Sequence, residues 1–240
     1  MLEFTLDGYH GLLSIFKDAG YSFCEFEEID ARLAEESSFV VLRHDIDLSL
    51  RLAVEIARIE YEQGIHATYF VLLRSPFYNI LSRSSVAIMQ QIHQYGHQIA
   101  THLDLAAYDN DCVKALKEVE LLAQCFPYIN TELVSLHSSY DLDKVPVELS
   151  QQLDNVYGHA ARGKMTYISD STGRWRYGHP LDSEAFSARK PIQLLTHPVW
   201  WVQEGETATQ KLECWLHSDY VNSFAMLKEF LPKLFRLKEL

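Results

Sequence analysis

Along the chain, short apolar runs alternate with segments whose apolar residues recur every three or four positions. Residues 6–19 carry Leu12, Leu13, Ile15 and Phe16 at helical spacing and stop at Gly20, a residue that commonly ends a helix. Residues 48–62 place Leu48, Leu52, Ile56 and Ile59 on one face and end at Gly64, which predicts an amphipathic helix. Residues 85–95 predict another helix, ending before Gly96, and 111–126 a further one with Asn110 as its N-cap. Between these lie runs that read as buried strands: 39–42, 67–73, 98–104, 133–137 and 192–197. Two weaker runs, 155–158 and 165–170, predict short strands. Residues 21–29 are aromatic-rich and read as extended, and 31–36 as a small acidic helix. A long helix is expected over 209–237, broken near Pro232. Strands separated by amphipathic helices imply a parallel sheet and an α/β fold.

Five of the apolar runs end in aspartate or histidine: Asp45 and Asp47, His102 and Asp104, His137, Asp170, and His197. In a parallel fold the carboxyl ends of the strands gather at one face, and in a closed barrel they meet at one mouth. Asp45 and Asp47 are two apart, so extended backbone points both carboxylates the same way. Two carboxylates and an imidazole aimed at one place repel unless a cation joins them. The cluster therefore reads as half of a metal site with a catalytic base beside it. Blander roles compete. An aspartate before a helix is often only an N-cap, His97 after Gly96 can simply favour a helix C-terminus, and Asp170 can start a turn. His44, between Arg43 and Asp45, reads as a support to the site rather than a ligand.

Composition narrows the field. The balance of 21 basic and 33 acidic residues, −12 overall, argues against a nucleic-acid partner. The four cysteines form no CxxC pair, which excludes zinc-finger and thioredoxin-type sites. No export signal and no membrane span are visible, so a soluble cytoplasmic protein is expected, of undetermined oligomeric state. No repeat or Pro/Gly/Ser-rich linker interrupts the chain, and one domain over 1–240 is the simplest reading, with 1–38 as an N-terminal helical extension and 209–240 as a C-terminal helix. That last helix ends basic, with Lys228, Lys233, Arg236 and Lys238, and reads as a solvated face. The loop 173–178 carries Arg174, Trp175 and Arg176, suited to an anionic or sugar substrate, and Trp200 stands where it could wall a pocket.

Several stretches together resemble the polysaccharide deacetylase family (the NodB-homology, family 4 carbohydrate esterase group), over roughly residues 6–201. Arg43-His44-Asp45-Ile46-Asp47 is similar to the family's first motif, with one residue between the two acids. Ala67-Thr68-Tyr69-Phe70-Val71 resembles its second strand, Gly96-His97-Gln98-Ile99-Ala100-Thr101-His102 its second motif, and Leu194-Leu195-Thr196-His197-Pro198 its last. The resemblance implies a distorted (β/α)7-type barrel. It also implies a divalent metal, usually zinc, and removal of an acetyl group from an amino sugar. It makes Asp45 the general base, Asp47 and His102 metal ligands and His197 the general acid. The family's usual third ligand falls four residues after His102, where this chain has Ala106. A third protein ligand must come from elsewhere, with His137 first and Asp104 second. Ser138-Ser139-Tyr140 replaces a further family motif.

The expected function is thus metal-dependent hydrolysis of an acylated small molecule or saccharide precursor. Asp170 would orient a catalytic group. Alternatives are another C–N hydrolase on the same barrel and a binding domain that kept the pocket without the catalysis.

Overall fold

The computed structural model describes residues 3–137, 152–158, 163–176 and 178–231. Two compact units are distinguished, residues 1–202 and 203–240. In the first, eight strands run in chain order among the described residues: β1 (Ser22–Cys24), β2 (Phe39–Ile46), β3 (Thr68–Val71), β4 (Gln98–Leu103), β5 (Asn130–Leu136), β6 (Asp154–Asn155), β7 (Thr166–Ser169) and β8 (Ile192–Thr196). Helices α1 (Leu6–Asp18), α2 (Ile29–Ala34), α3 (Leu50–Glu62), α4 (Arg83–Gln94), α5 (Cys112–Cys125), α6 (Glu184–Ser187) and α7 (Pro198–Val202) separate or flank them.

All strand pairs among the described residues are parallel, in the order β6-β5-β4-β3-β2-β8-β7, with β1 beside the first half of β2. Strand β2 is buried along its whole length, as its continuous apolar run requires. Its register with β3 and β8 is fixed by two opposed rows of side chains. One face carries Val41, Arg43 and Asp45, and the other His44.

The sheet curls into an incomplete barrel. Val41, Phe70, Ala100, Leu133, Val156 and Met165 come from along the whole strand order, yet they form one cluster with Cys24, Phe26 and Ile29 beneath them. The two ends of the sheet meet around Arg43. Its guanidinium carbon lies 4.3 Å from the ring centre of Tyr157, after β6, and 5.9 Å from that of Tyr167 on β7. The two tyrosine rings are 5.8 Å apart. Arg43 is fully buried and its Nη2 donates to Asp45 at 3.0 Å. Burial favours neutral arginine, but Asp45 beside it holds the guanidinium pKa above its ordinary value.

Several sequence expectations move by a few residues. The extended stretch before residue 30 is a three-residue strand followed by a 3₁₀ turn (Phe26–Glu28). Helix α5 is capped by Asp111, not Asn110, because the Asp111 carboxylate reaches the Lys114 amide at 3.2 Å. Asn110 instead takes a positive φ of 61° in the turn before it. No disulfide forms among the described residues.

The second unit contains helix α8 (Ala208–Phe230), opened by a capping box between Thr207 and Gln210. Lys228 lies in its last turn. The expected break at Pro232 and the basic residues Lys233, Arg236 and Lys238 lie outside the described residues. No helix of the described chain is long and apolar enough to cross a membrane.

Arg43 closes the barrel and neutralises a buried carboxylate, so Arg43→Met should cost about 3–5 kcal/mol by stranding Asp45. Arg43→Met with Asp45→Leu should recover part of that loss. Urea unfolding of the two variants checks this, and a double variant no more stable than the single one would count against it.

Candidate metal centre

Asp47 follows β2 directly, His102 sits near the end of β4, and His137 follows β5. Their ligand atoms form a small triangle. His102 Nε2 lies 3.2 Å and His137 Nδ1 3.3 Å from Asp47 Oδ1, and the two nitrogens are 3.1 Å apart. These are the edges a tetrahedral ion would span, since bonds of about 2.0–2.1 Å give edges of about 3.3 Å. Among the described residues this is the one group of three His, Cys, Asp or Glu side chains so arranged.

Local bonding prepares each ligand. The Nδ1–H of His102 donates to the Ser135 carbonyl at 2.9 Å, which leaves the Nε2 lone pair facing the triangle. Asp47 Oδ1 is buried and lacks a conventional hydrogen-bond partner. Burial would raise the Asp47 pKa, but the His102 and His137 imidazoles hold it well below the usual carboxylate range. The adjacent Asp47 carboxylate in turn raises the His137 pKa. A buried, unsatisfied carboxylate oxygen facing two imidazole nitrogens is a donor set that fits zinc or a similar divalent ion.

Two further groups flank the triangle. Asp45 Oδ2 lies 3.9 Å from His102 Nε2. The Asp45 carboxylate is held by Arg43 and by the Ser135 hydroxyl, which lies 3.2 and 3.1 Å from its two oxygens. On the other side, His197 Nε2 lies 3.8 Å from Asp47 Oδ2. The Nδ1–H of His197 donates to Asp170 Oδ1 at 2.6 Å. Asp170 is fully buried, and it also accepts the His197 backbone N–H and the Trp201 indole N–H, the latter at 2.9 Å. Burial would lower the His197 pKa, but Asp170, Asp47 and Asp45 together lift it to about 9.

The structure thus brings Asp45, Asp47, His102, His137, His197 and Asp170 into one place. Asp104 goes elsewhere, its carboxylate accepting the Ala106 amide in the 3₁₀ turn Leu105–Tyr108. Asp47 does not cap α3, whose N-cap is Ser49. His44 does not support the site from within. It lies on the opposite face of β2 and donates to Glu60 of α3. His97 is likewise buried on that side, bonded to the Ala57 carbonyl and the Ala67 amide. In the loop after β7, Arg174 and Arg176 are exposed, whereas the Trp175 ring packs against Phe4, His179 and Trp201. Trp200 is buried. Ser138-Ser139-Tyr140 and Tyr177 lie outside the described residues.

Arg43 and Ser135 are the partners that sequence reasoning left without a role, and Trp201, a candidate like Trp200 to wall the pocket, instead holds Asp170. Arg43 stands two before Asp45 and Ser135 two before His137, so the same alternation that paired Asp45 with Asp47 would have found both.

No family model matches this chain, and no curated protein does. Solved structures to which it is similar include the Streptococcus pyogenes deacetylase PplD in complex with acetate, at 16% identity and a TM-score of 0.47. That match covers 86% of this chain and 84% of the other. A family 4 carbohydrate esterase from Bacillus anthracis matches at 14% identity and a TM-score of 0.47, over 88% of this chain and 86% of the other.

The raised pKa of His197 makes a statement about stability in metal-free protein. The folded value of about 9 exceeds the ~6.5 of an unfolded histidine. Its stabilisation is complete below about pH 6.5 and is lost as pH rises through about 9. The urea midpoint measured in chelator should therefore fall across that window, and Asp170→Asn should flatten the fall. A wild-type midpoint that rises over the same range would contradict the ion pair.

Proposed function

We propose that the chain is a metal-dependent hydrolase that removes an acetyl group from an amino sugar or a sugar-containing precursor. The observation that carries this reading is the Asp47–His102–His137 triangle with a carboxylate on one flank and an aspartate-oriented imidazole on the other.

Asp47 Oδ1, His102 Nε2 and His137 Nδ1 would hold the ion. A divalent metal bound there would polarise an acyl carbonyl and bring the pKa of a water towards about 7. Asp45 takes the proton of the attacking water as general base. Arg43 and Ser135 keep that carboxylate fixed, so little reorganisation is needed when the proton arrives. His197, whose Nδ1–H is committed to Asp170, presents Nε2 and gives its proton to the departing amine or alcohol. In the metal-free protein Asp170, with Asp47 and Asp45, lifts the His197 pKa to about 9, and the Asp170 contact at Nδ1, away from the proposed ion, favours the protonated ring a general acid needs. The exposed Arg174 and Arg176 suit a substrate with an anionic portion, such as a phosphorylated or nucleotide-linked sugar. Of the two tryptophans expected to meet a sugar, Trp200 is buried, which leaves the half-buried Trp175 as the candidate for stacking on a sugar ring.

Elemental analysis of purified protein soaked in zinc should give near-stoichiometric metal, lost in both His102→Ala and His137→Ala. Release of acetate from a panel of free and nucleotide-linked N-acetyl sugars should follow metal content. Asp45→Asn should lower turnover by about 10²–10⁴-fold while retaining metal. Wild-type turnover in Asp45→Asn would remove the base, and a wild type that binds no zinc, cobalt or nickel would remove the hydrolase reading.

A further inference from the structure

On the face of the sheet opposite the metal triangle, a buried carboxylate joins the strands that deliver the base and the acid. His44 is the register partner of both Tyr69 on β3 and Thr196 on β8, so the three side chains form one row across three adjacent strands. Glu60 of α3, itself fully buried, lies over this row. Its Oε1 accepts from His44 Nε2 at 2.7 Å and from the Tyr9 hydroxyl of α1, and its Oε2 accepts from the Tyr69 hydroxyl at 2.6 Å. With Nε2–H committed to the carboxylate, His44 Nδ1 accepts the Thr196 hydroxyl proton at 2.8 Å. His97 closes the fourth side, its Nδ1 3.6 Å from Glu60 Oε2.

Both arms of this network lead to His197. One runs from Glu60 through His44 to Thr196, the residue before His197. The other runs from Glu60 through Tyr9, whose ring packs 5.1 Å from that of Trp201, to the indole N–H that holds Asp170. Asp170 in turn receives the His197 Nδ1–H. The residues next along each strand, Asp45 after His44 and His197 after Thr196, face the site.

We infer that Glu60, His44 and Thr196 are positioning residues of the reaction, fixing His197 from behind the sheet. This rests on the reading of His197 as the general acid. A buried charge offset by three donors with defined geometry admits few alternative arrangements, and a rigid network transmits its positions to the backbone it bonds. The backbone ladder between β2 and β8 sets their register, and the hydrogen bond from the Thr196 hydroxyl to His44 adds a side-chain anchor to the residue that precedes His197. Hydrophobic side chains of similar shape would fill the same space without that anchor.

The test uses full-length, zinc-loaded protein and 4-nitrophenyl acetate as probe, with Thr196→Val, Tyr9→Phe and Glu60→Gln, and Thr196→Ser as the conservative control. The second readout is the low-field proton resonance of the His197 Nδ1–H bond, identified by its loss in His197→Gln. Thr196→Val and Glu60→Gln are expected to lower kcat about tenfold or more with KM within about twofold, and to shift or broaden that resonance. Thr196→Ser should restore both. Should Glu60→Gln not fold, Thr196→Val and Tyr9→Phe each interrupt one arm with a smaller change. A folded Thr196→Val protein with wild-type kcat and an unmoved resonance would overturn the inference. A wild type inert towards the probe would count against the hydrolase reading alone, and the resonance in Thr196→Val would then decide the positioning role.

Discussion

The ion pair between Arg43 and Asp45 is the constraint on which the rest of the barrel depends. It lies in the interior, with the guanidinium fully buried and one edge of the sheet reaching it through Tyr157, the other through Tyr167. Removing a guanidinium from water costs several kcal/mol, and the carboxylate two residues along the same strand offsets part of it. The faces of the tyrosine rings offset more, since a cation over an aromatic ring gains further when desolvated. A lysine would not serve, because only a planar group can present an edge to a carboxylate and a face to a ring at once. The residue that brings the ends of the sheet together is therefore also the one that fixes the proposed base.

Strand β2 divides its work between its two faces. Inward-facing Arg43 and Asp45, with Asp47 just beyond the strand, carry charge into the barrel, while outward-facing His44 presents a polar side chain to the helical layer. Neither set is in the ordinary environment of a strand buried on both sides, which is expected to be apolar. Asp45 is matched instead by Arg43 and Ser135, and His44 by Glu60 and Thr196. A polar row on each face specifies the register of β2 against β3 and β8 more narrowly than apolar side chains would, because a one-residue slip would exchange the faces and leave buried charges unpaired.

Much of this organisation was legible in the sequence. The alternation of runs and amphipathic segments gave the parallel α/β class, and the recurrence of Asp and His at strand ends marked the residues that converge. His137 could be preferred over Asp104 as a ligand, and the structure shows why: Asp104 is spent on the turn after β4. Alternation alone puts His44 on the face opposite Asp45, but what it meets there could not be read. His44 and His97 look like site residues by proximity in sequence, yet they belong to the Glu60 network, because α3 supplies a buried carboxylate that no local pattern announces. The aromatic surroundings of Trp175 were hidden for the same reason. Phe4 and Trp201 are distant in sequence, and only the fold brings them together.

The position of Ala106 has a structural consequence. A second histidine four residues after His102 would make the triangle largely a property of one local segment. Here each candidate ligand belongs to a different strand: Asp47 to the end of β2, His102 to β4, His137 to the end of β5. Strands β2 and β4 are separated by β3, so in a flat sheet their backbones would stand about 9–10 Å apart. Their side chains meet at 3.2 Å because the sheet curls and tilts its inward-facing residues together. The triangle is thus a consequence of barrel curvature, and curvature depends on the edges meeting around Arg43. An ion held by these three residues would in turn tie β2, β4 and β5 together at the mouth, opposing any flattening of the sheet. The proposed ion affinity and barrel closure would therefore be two measures of the same geometry, linked through the Arg43 guanidinium.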